Sequence, residues 1–287
     1  AACQDRGIRV LLDGVFSHTG ADSVYFNRTG AYGDGGAYQR QDSPYYSWYR
    51  FRRWPDRYAS WWGFKSLPEL DETDPGFLSF LLEGGNGVIP YWTARGVSGW
   101  RLDVADELPG AFIRALRARL KELDPQAVLL GEVWEDASNK VSYGELRSYC
   151  SGRELDSVTN YPMAHALFDF LLHRTNAFDL HNALGGQRER YPAPMYYALM
   201  NLLGSHDTVR ALSVLCGAPH RDALPREQQA HVRFDGETLD LGRRRLKLAS
   251  LLQFCLPGVP TIYYGDEAGM QGMADPFNRA TYPWGGE

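Results

Sequence analysis

The sequence predicts an α/β protein, a (β/α)8 barrel that is incomplete here, with about six βα units and a small domain inserted after the first strand. Three observations carry this expectation. Short apolar runs recur and end in carboxylates: Val10-Leu11-Leu12 before Asp13, Trp100-Arg101-Leu102 before Asp103, Leu129-Leu130-Gly131 before Glu132, and Gly204-Ser205-His206 before Asp207. Runs of this kind suit strands covered on both faces, as in a parallel sheet with helices outside. Segments with helical apolar spacing lie between them, and this alternation is that of βα units. Finally, some seventy residues from His18 to about Pro90 are rich in Gly, Tyr, Trp, Asp and Pro and break the alternation. A structureless loop of that length is improbable in a compact domain.

Taken in order, strands are expected at about residues 8–13, 98–103, 127–132, 155–159, 199–206 and 260–264. The opening residues up to Gly7 read as the tail of a helix and its glycine cap. Phe112, Ile113, Leu116, Leu120 and Leu123 mark a helix stopped by Asp124-Pro125. Met163 to Leu172 and Leu246 to Leu256 mark two more, the last opened by the basic run Arg243-Arg244-Arg245 and ended by Pro257-Gly258. Long loops are expected from Trp134 to Glu154 and from Ala218 to Leu239. The expected domains are 1–18 with 91–287 for the barrel and 19–90 for the insertion. A full barrel of about 250 residues uses roughly 31 per unit, so the chain without its insertion holds six to seven units.

Composition excludes several classes. The net charge is −5, from 30 Lys and Arg against 35 Asp and Glu, and no basic stripe marks a nucleic-acid partner. No apolar run approaches the length of a membrane span, so no membrane partner is expected. The four cysteines, Cys3, Cys150, Cys216 and Cys255, are far apart and show neither a zinc spacing nor a disulfide framework. Cys255, within an apolar run, reads as a buried small hydrophobe. His165, His173, His181, His220 and His231 show no metal-ligand spacing. A cytoplasmic location is expected; secretion stays open because the sequence looks to begin inside a fold.

In a closed parallel barrel every strand delivers its last residue to one rim, so the scattered acids are candidates for one pocket. Paired carboxylates in unlike environments are what glycoside hydrolysis requires. Six segments then make a specific pattern. Asp13-Gly14-Val15-Phe16-Ser17-His18, Leu67-Pro68-Glu69-Leu70-Asp71, Gly99 to Glu107, Gly131-Glu132-Val133-Trp134, Ser205-His206-Asp207 and Gly258 to Glu267 stand in this order along the chain. Together they resemble the conserved segments of the α-amylase family of glycoside hydrolases, whose catalytic domain is a TIM barrel. Val104-Ala105-Asp106-Glu107 and Gly204-Ser205-His206-Asp207-Thr208 are most similar to the neopullulanase, cyclomaltodextrinase and maltogenic amylase group.

The resemblance implies a retaining hydrolase of α-1,4 glucosidic bonds, with α-1,6 bonds as a further target, in maltooligosaccharides, cyclodextrins, pullulan or starch. Asp103 would be the nucleophile, Glu132 the general acid/base and Asp207 the third carboxylate. Asp13, His18, Arg101, Trp134, His206, Asp275 and Arg279 would bind substrate. Arg101, two residues before Asp103, shares its face of the strand. Alternatives are a transglycosylase on the same scaffold and a non-catalytic sugar-binding relative. Asp13 could equally cap a helix, and Trp61 and Trp62 stay open between packing and sugar stacking. No cofactor is required. A structural calcium is doubtful, because Ser17 stands where many α-amylases carry an Asn ligand. The resemblance also implies a fragment covering strands three to eight, with open barrel edges through which copies could associate.

Overall fold

The computed structural model describes residues 2–285, which form two compact units. The first runs up to Val133 and includes Asn139–Ser157; the second holds Trp134–Ser138 and the chain from Val158 onward. All six expected strand positions carry strands; the one expected at 98–103 keeps six residues and the other five are shorter than expected. Among the described residues, no helix is long and apolar enough to cross a membrane.

The frame of the first unit is a parallel sheet of β1 (Val10–Gly14), β4 (Val97–Leu102) and β5 (Val128–Gly131), with β4 in the middle. Between β1 and β4 come the short antiparallel pair β2 (Phe51–Arg53) and β3 (Arg57–Tyr58), then helices α1 (Pro75–Leu82) and α2 (Val88–Thr93). Strand register sets the level at which the chain leaves the sheet. Asp13 pairs with Arg101, Gly14 with Leu102, and Leu102 with Gly131. The residues just beyond Leu102 and Gly131, Asp103 and Glu132, therefore leave neighbouring strands at the same level. Gly99 allows the close approach of β4 to β5, since a Cβ there would stand 2.2 Å from the Val128 carbonyl oxygen. Helix α3 (Gly110–Leu123) covers the sheet with Phe112, Ile113, Leu116 and Leu120, all buried. The hairpin of β6 (Val141–Ser142) and β7 (Glu145–Leu146) completes the unit.

The segment between β1 and α1 has an aromatic core in place of an aliphatic one. Phe26, fully buried, has the rings of Tyr38, Tyr49, Phe51 and Tyr58 within 6 Å. Single bridges of His18 with Glu69, Tyr49 with Leu70 and Ser60 with Pro68 tie the Leu67-to-Asp71 motif to the end of β1 and to this core. Just past that motif Glu72 is 5% exposed, its nearest cation Arg50 lying 3.9 Å away. Burial pushes its carboxyl up to about 7; Arg50 opposes the rise, and Asp71 and Glu69 add to it. The unfolded chain ionises Glu72 near its ordinary 4.5, whereas the folded chain holds the proton to about 7. The group's contribution to stability is therefore greatest at low pH and falls as pH rises through that window. We predict that Glu72→Gln comes close to the parent in unfolding free energy at pH 5 and exceeds it at pH 8 by about 1–3 kcal/mol. An unchanged difference between the two pH values would contradict the buried-acid account.

Strand β8 (Ser157–Val158) carries the chain into the second unit. There the chain forms α4 (Tyr161–Leu171), α5 (Ala177–Arg190), α6 (Ala193–Tyr196), β9 (Met200–Leu202), α7 (Ala211–Leu215), α8 (Arg226–Gln229), α9 (Gly236–Cys255) and β10 (Val259–Thr261), which pairs in parallel with β9. Met163, Leu167, Leu171, Leu203, Leu215 and Ala249 are among the buried residues of its core. A buried amide network binds the layers. Gln187 of α5 donates to Asn160 at 2.7 Å, Asn160 to Asn201 of β9 at 2.9 Å, and Asn201 to the Pro257 carbonyl at 2.9 Å. Such groups are costly when unpaired, so the network fixes α4, α5 and β9 in one arrangement.

Two expectations for this unit are corrected. The last helix begins at Gly236, ten residues before its apolar run, so Arg243-Arg244-Arg245 lie inside it rather than opening it. Its first half packs through Gly242, where a Cβ would meet the Cys216 sulfur at 2.2 Å, and small-residue contact leaves no apolar periodicity. Cys255 is exposed, as are Leu248, Leu251 and Phe254 of the same helix; Cys216 is the buried cysteine.

Candidate active site

Five of the expected site residues belong to the first unit, and four of them meet at one guanidinium. Arg101 Nη1 donates to Asp103 Oδ1 at 2.6 Å and to Asp13 Oδ1 at 2.8 Å, while its Nη2 lies 2.9 Å from Glu132 Oε2. The same Glu132 oxygen accepts the backbone N–H of Val104 at 2.9 Å. Val104 reaches it because the chain turns sharply after Asp103, with φ at +44°. Backbone hydrogen bonds hold the rim: Asp103 N–H to the Gly14 carbonyl at 3.1 Å and Glu132 N–H to the Leu102 carbonyl at 2.9 Å.

The environments of the carboxylates differ. The Glu132 side chain is 5% exposed, Asp103 21% and Asp13 54%. Burial works to lower the Arg101 pKa, but Glu132, Asp13 and Asp103 outweigh it and hold the guanidinium above its ordinary range. Arg101 is thus a permanent cation. His18 stands apart from this cluster. Its Nδ1 is 2.9 Å from Ser17 Oγ, and its ring packs against Trp61 with centroids 5.1 Å apart. Burial lowers its pKa against the pull of Asp103, Glu107 and Glu69, which favours a neutral ring at neutral pH.

At Ser17, where the family resemblance raises a structural calcium, the hydroxyl is on a residue only 3% exposed and lies 2.9 Å from His18 Nδ1. It is a single uncharged oxygen, whereas calcium coordination calls for several carboxylate or carbonyl oxygens.

The other five expected residues belong to the second unit, and four of them form one array. Asp207 Oδ2 is 3.0 Å from His206 Nε2, and Asp207 Oδ1 is 3.4 Å from Arg279 Nη2. Arg279 Nε lies 2.8 Å from Asp275 Oδ1, so one guanidinium links the two acids. Asn278 locks the array by donating to the His206 and Thr208 carbonyls, each at 2.7 Å. Trp134 lies flat on Tyr161, with centroids 4.1 Å apart and parallel planes. Trp134, Tyr161, His165, Phe168 and Asp207 are among the residues lining a cavity of about 420 Å3.

Sequence reasoning passed over three residues, Tyr161 in the second unit and Glu107 and Tyr143 in the first. Tyr161 supports Trp134; its only advance signal is its place two residues after the strand expected at 155–159. Glu107 accepts the indole N–H of both Trp61 and Trp62. Tyr143 also donates to Glu107, from within a segment expected as loop. Glu107 could have been noticed, since it lies four residues beyond Asp103.

The chain is similar over nearly its whole length to known proteins of one family. The model of the alpha amylase catalytic domain matches residues 1–282. An amylopullulanase of Thermoanaerobacter thermohydrosulfuricus is 39% identical over 317 residues, spanning 98% of this chain and 20% of that protein. A cyclomaltodextrinase of a Bacillus species is 33% identical, spanning 98% of this chain and 44% of that protein. Among solved structures, the cyclic α-maltosyl-(1→6)-maltose hydrolase of Arthrobacter globiformis superposes with a TM-score of 0.79 at 28% identity, covering 99% of this chain and 56% of that one. The chain therefore spans between a fifth and a little over half the length of these relatives.

Proposed function

Because the chain belongs to the α-amylase family, carrying part of its TIM-barrel catalytic domain, we propose that it serves a retaining hydrolase of α-glucosidic bonds in starch-like glucans, pullulan or cyclodextrins. The observation that carries the proposal is the gathering of Asp103, Glu132 and Asp13 on Arg101 at the ends of adjacent parallel strands. The names of the relatives, amylopullulanase and cyclomaltodextrinase, support the substrate class.

In this reading Asp103 is the nucleophile. It attacks the anomeric carbon, and the bond to the leaving glycosidic oxygen breaks. Glu132 gives its proton to that oxygen, then takes one from the incoming water as the glycosyl–Asp103 ester is hydrolysed. Asp207 and His206 bind hydroxyl groups of the reacting sugar, an interaction that strengthens as the ring flattens toward the oxocarbenium ion. Asp13 and Arg101 hold the nucleophile. His18, as a neutral ring, hydrogen-bonds the same sugar, Asp275 and Arg279 bind the next ring, and Trp134 flanks the leaving group. Side chains of this protein carry each of these steps.

Two displacements at one carbon restore its configuration. Proton NMR of maltotriose hydrolysis by the full-length protein is expected to show the α-anomer first, with the β-anomer growing in only by mutarotation. First appearance of the β-anomer would overturn the retaining mechanism.

A further inference from the structure

The most unusual aromatic residues of the first unit lie outside the carboxylate cluster. Trp62 is 73% exposed, yet its backbone sits at φ +50° and ψ +26°. Tyr143 is 78% exposed at φ +52°, and with Gly144 at φ +80° it forms the turn between β6 and β7. A two-residue hairpin turn with both φ positive is normally filled by Asn, Asp or Gly. A bulky residue in the left-handed region is an outlier, and such strain persists where the surroundings impose it and is enriched at ligand sites. Two large aromatic rings thus face solvent from backbone positions that disfavour them.

One carboxylate explains how they are held. Glu107 Oε1 accepts the Trp62 indole N–H at 2.8 Å and the Tyr143 hydroxyl at 3.2 Å; Oε2 accepts the Trp61 indole N–H at 2.6 Å. Trp61 stacks on Trp62 with centroids 5.1 Å apart and an 18° angle, and its ring also packs on His18 at 5.1 Å. The polar tips of three aromatics are therefore satisfied internally, and apolar faces remain outward. Rings fixed at the tip lose little entropy when something flat settles on them.

We propose that Trp62 and Tyr143, pinned by Glu107, form a platform for a glucose ring of the α-glucan chain flanking the reacting sugar. This rests on the hydrolase reading above. A pyranose ring offers an apolar C–H face to an indole and hydroxyl groups to a carboxylate. Glu107, the fourth residue after Asp103, places both next to His18. Glu107 acts here as a positioning residue.

The test is oxidative footprinting of the full-length protein carrying Asp103→Asn, with and without saturating maltoheptaose. Oxidation of Trp62 and Tyr143 is expected to slow several-fold. Trp92, 41% exposed on α2, a helix that carries no assigned site residue, is the internal standard and should react at the same rate in both. In the same background Trp62→Ala and Glu107→Ala are expected to weaken maltoheptaose binding about five- to tenfold. Glu107→Gln, whose amide oxygen still accepts an indole N–H, should recover most of that loss, which a merely destabilised loop would not. If Trp62 stays unprotected while the parent protein hydrolyses maltoheptaose, the platform is wrong and the hydrolase reading survives. If Trp62 is protected and no hydrolysis occurs, the platform stands and the hydrolase reading falls.

Discussion

Asp103→Asn in the full-length protein is expected to lower kcat on maltotriose on the order of 10^4-fold or more, because an amide cannot form the glycosyl ester. Asn can still accept the Arg101 hydrogen bond, so the fold and the remaining cluster should survive. Glu132→Gln removes a proton donor rather than a nucleophile. Its loss on maltotriose should be about 10^2- to 10^4-fold. The two variants separate on α-glucosyl fluoride, whose leaving group needs no protonation. There Glu132→Gln should come within about tenfold of the parent in the first displacement, measured as the fluoride burst. Asp103→Asn should remain as impaired as on maltotriose. Equal losses for both variants on both substrates would contradict the division of labour and return Glu132 to a structural role beside Arg101.

Register explains why these two acids were legible together. Each ends a short apolar run, and the pairing of Leu102 with Gly131 brings the next residues to one level. Asp207 was legible in the same way, at the end of the run that contains β9. Residues whose importance depends on tertiary approach were not. Glu107 and Tyr143 meet across 36 positions, and neither lies in an apolar pattern. The helices show the same division. α3 has a clear apolar stripe, which marks its start to within two residues. α5 was not foreseen: it buries only Gln187, and the structure opens it with a capping box, Asn176 with Asp179, rather than an apolar face. α9 was legible only where leucines repeat, since its first half packs through Gly242. Periodicity reports helices that bury large apolar side chains and is silent about those fixed by caps, amides or glycines.

Arg101→Met should be the most damaging change at the cluster that leaves all the acids in place. Arg101 is 15% exposed at its side chain and contacts Asp13, Asp103 and Glu132 within 2.9 Å. A methionine of similar length fills the space but leaves three carboxyl groups facing one another without a cation. Removing one partner of a buried ion pair typically costs about 3–5 kcal/mol. Part of that cost should appear as lower stability and part as a weaker transition state, so kcat/KM should fall about a hundredfold or more. The pH profile separates this from simple misfolding. Without the guanidinium, ionising the cluster is harder, so the acid limb of kcat/KM should move to higher pH, and residual activity should fall least in alkaline buffer. Arg101→Lys keeps a charge but not the fork that reaches three acids, so it should restore part of the acid limb and little of kcat. A full recovery by Lys would show that charge alone suffices. An unshifted limb in Arg101→Met would show that the guanidinium holds the acids in position without governing their ionisation.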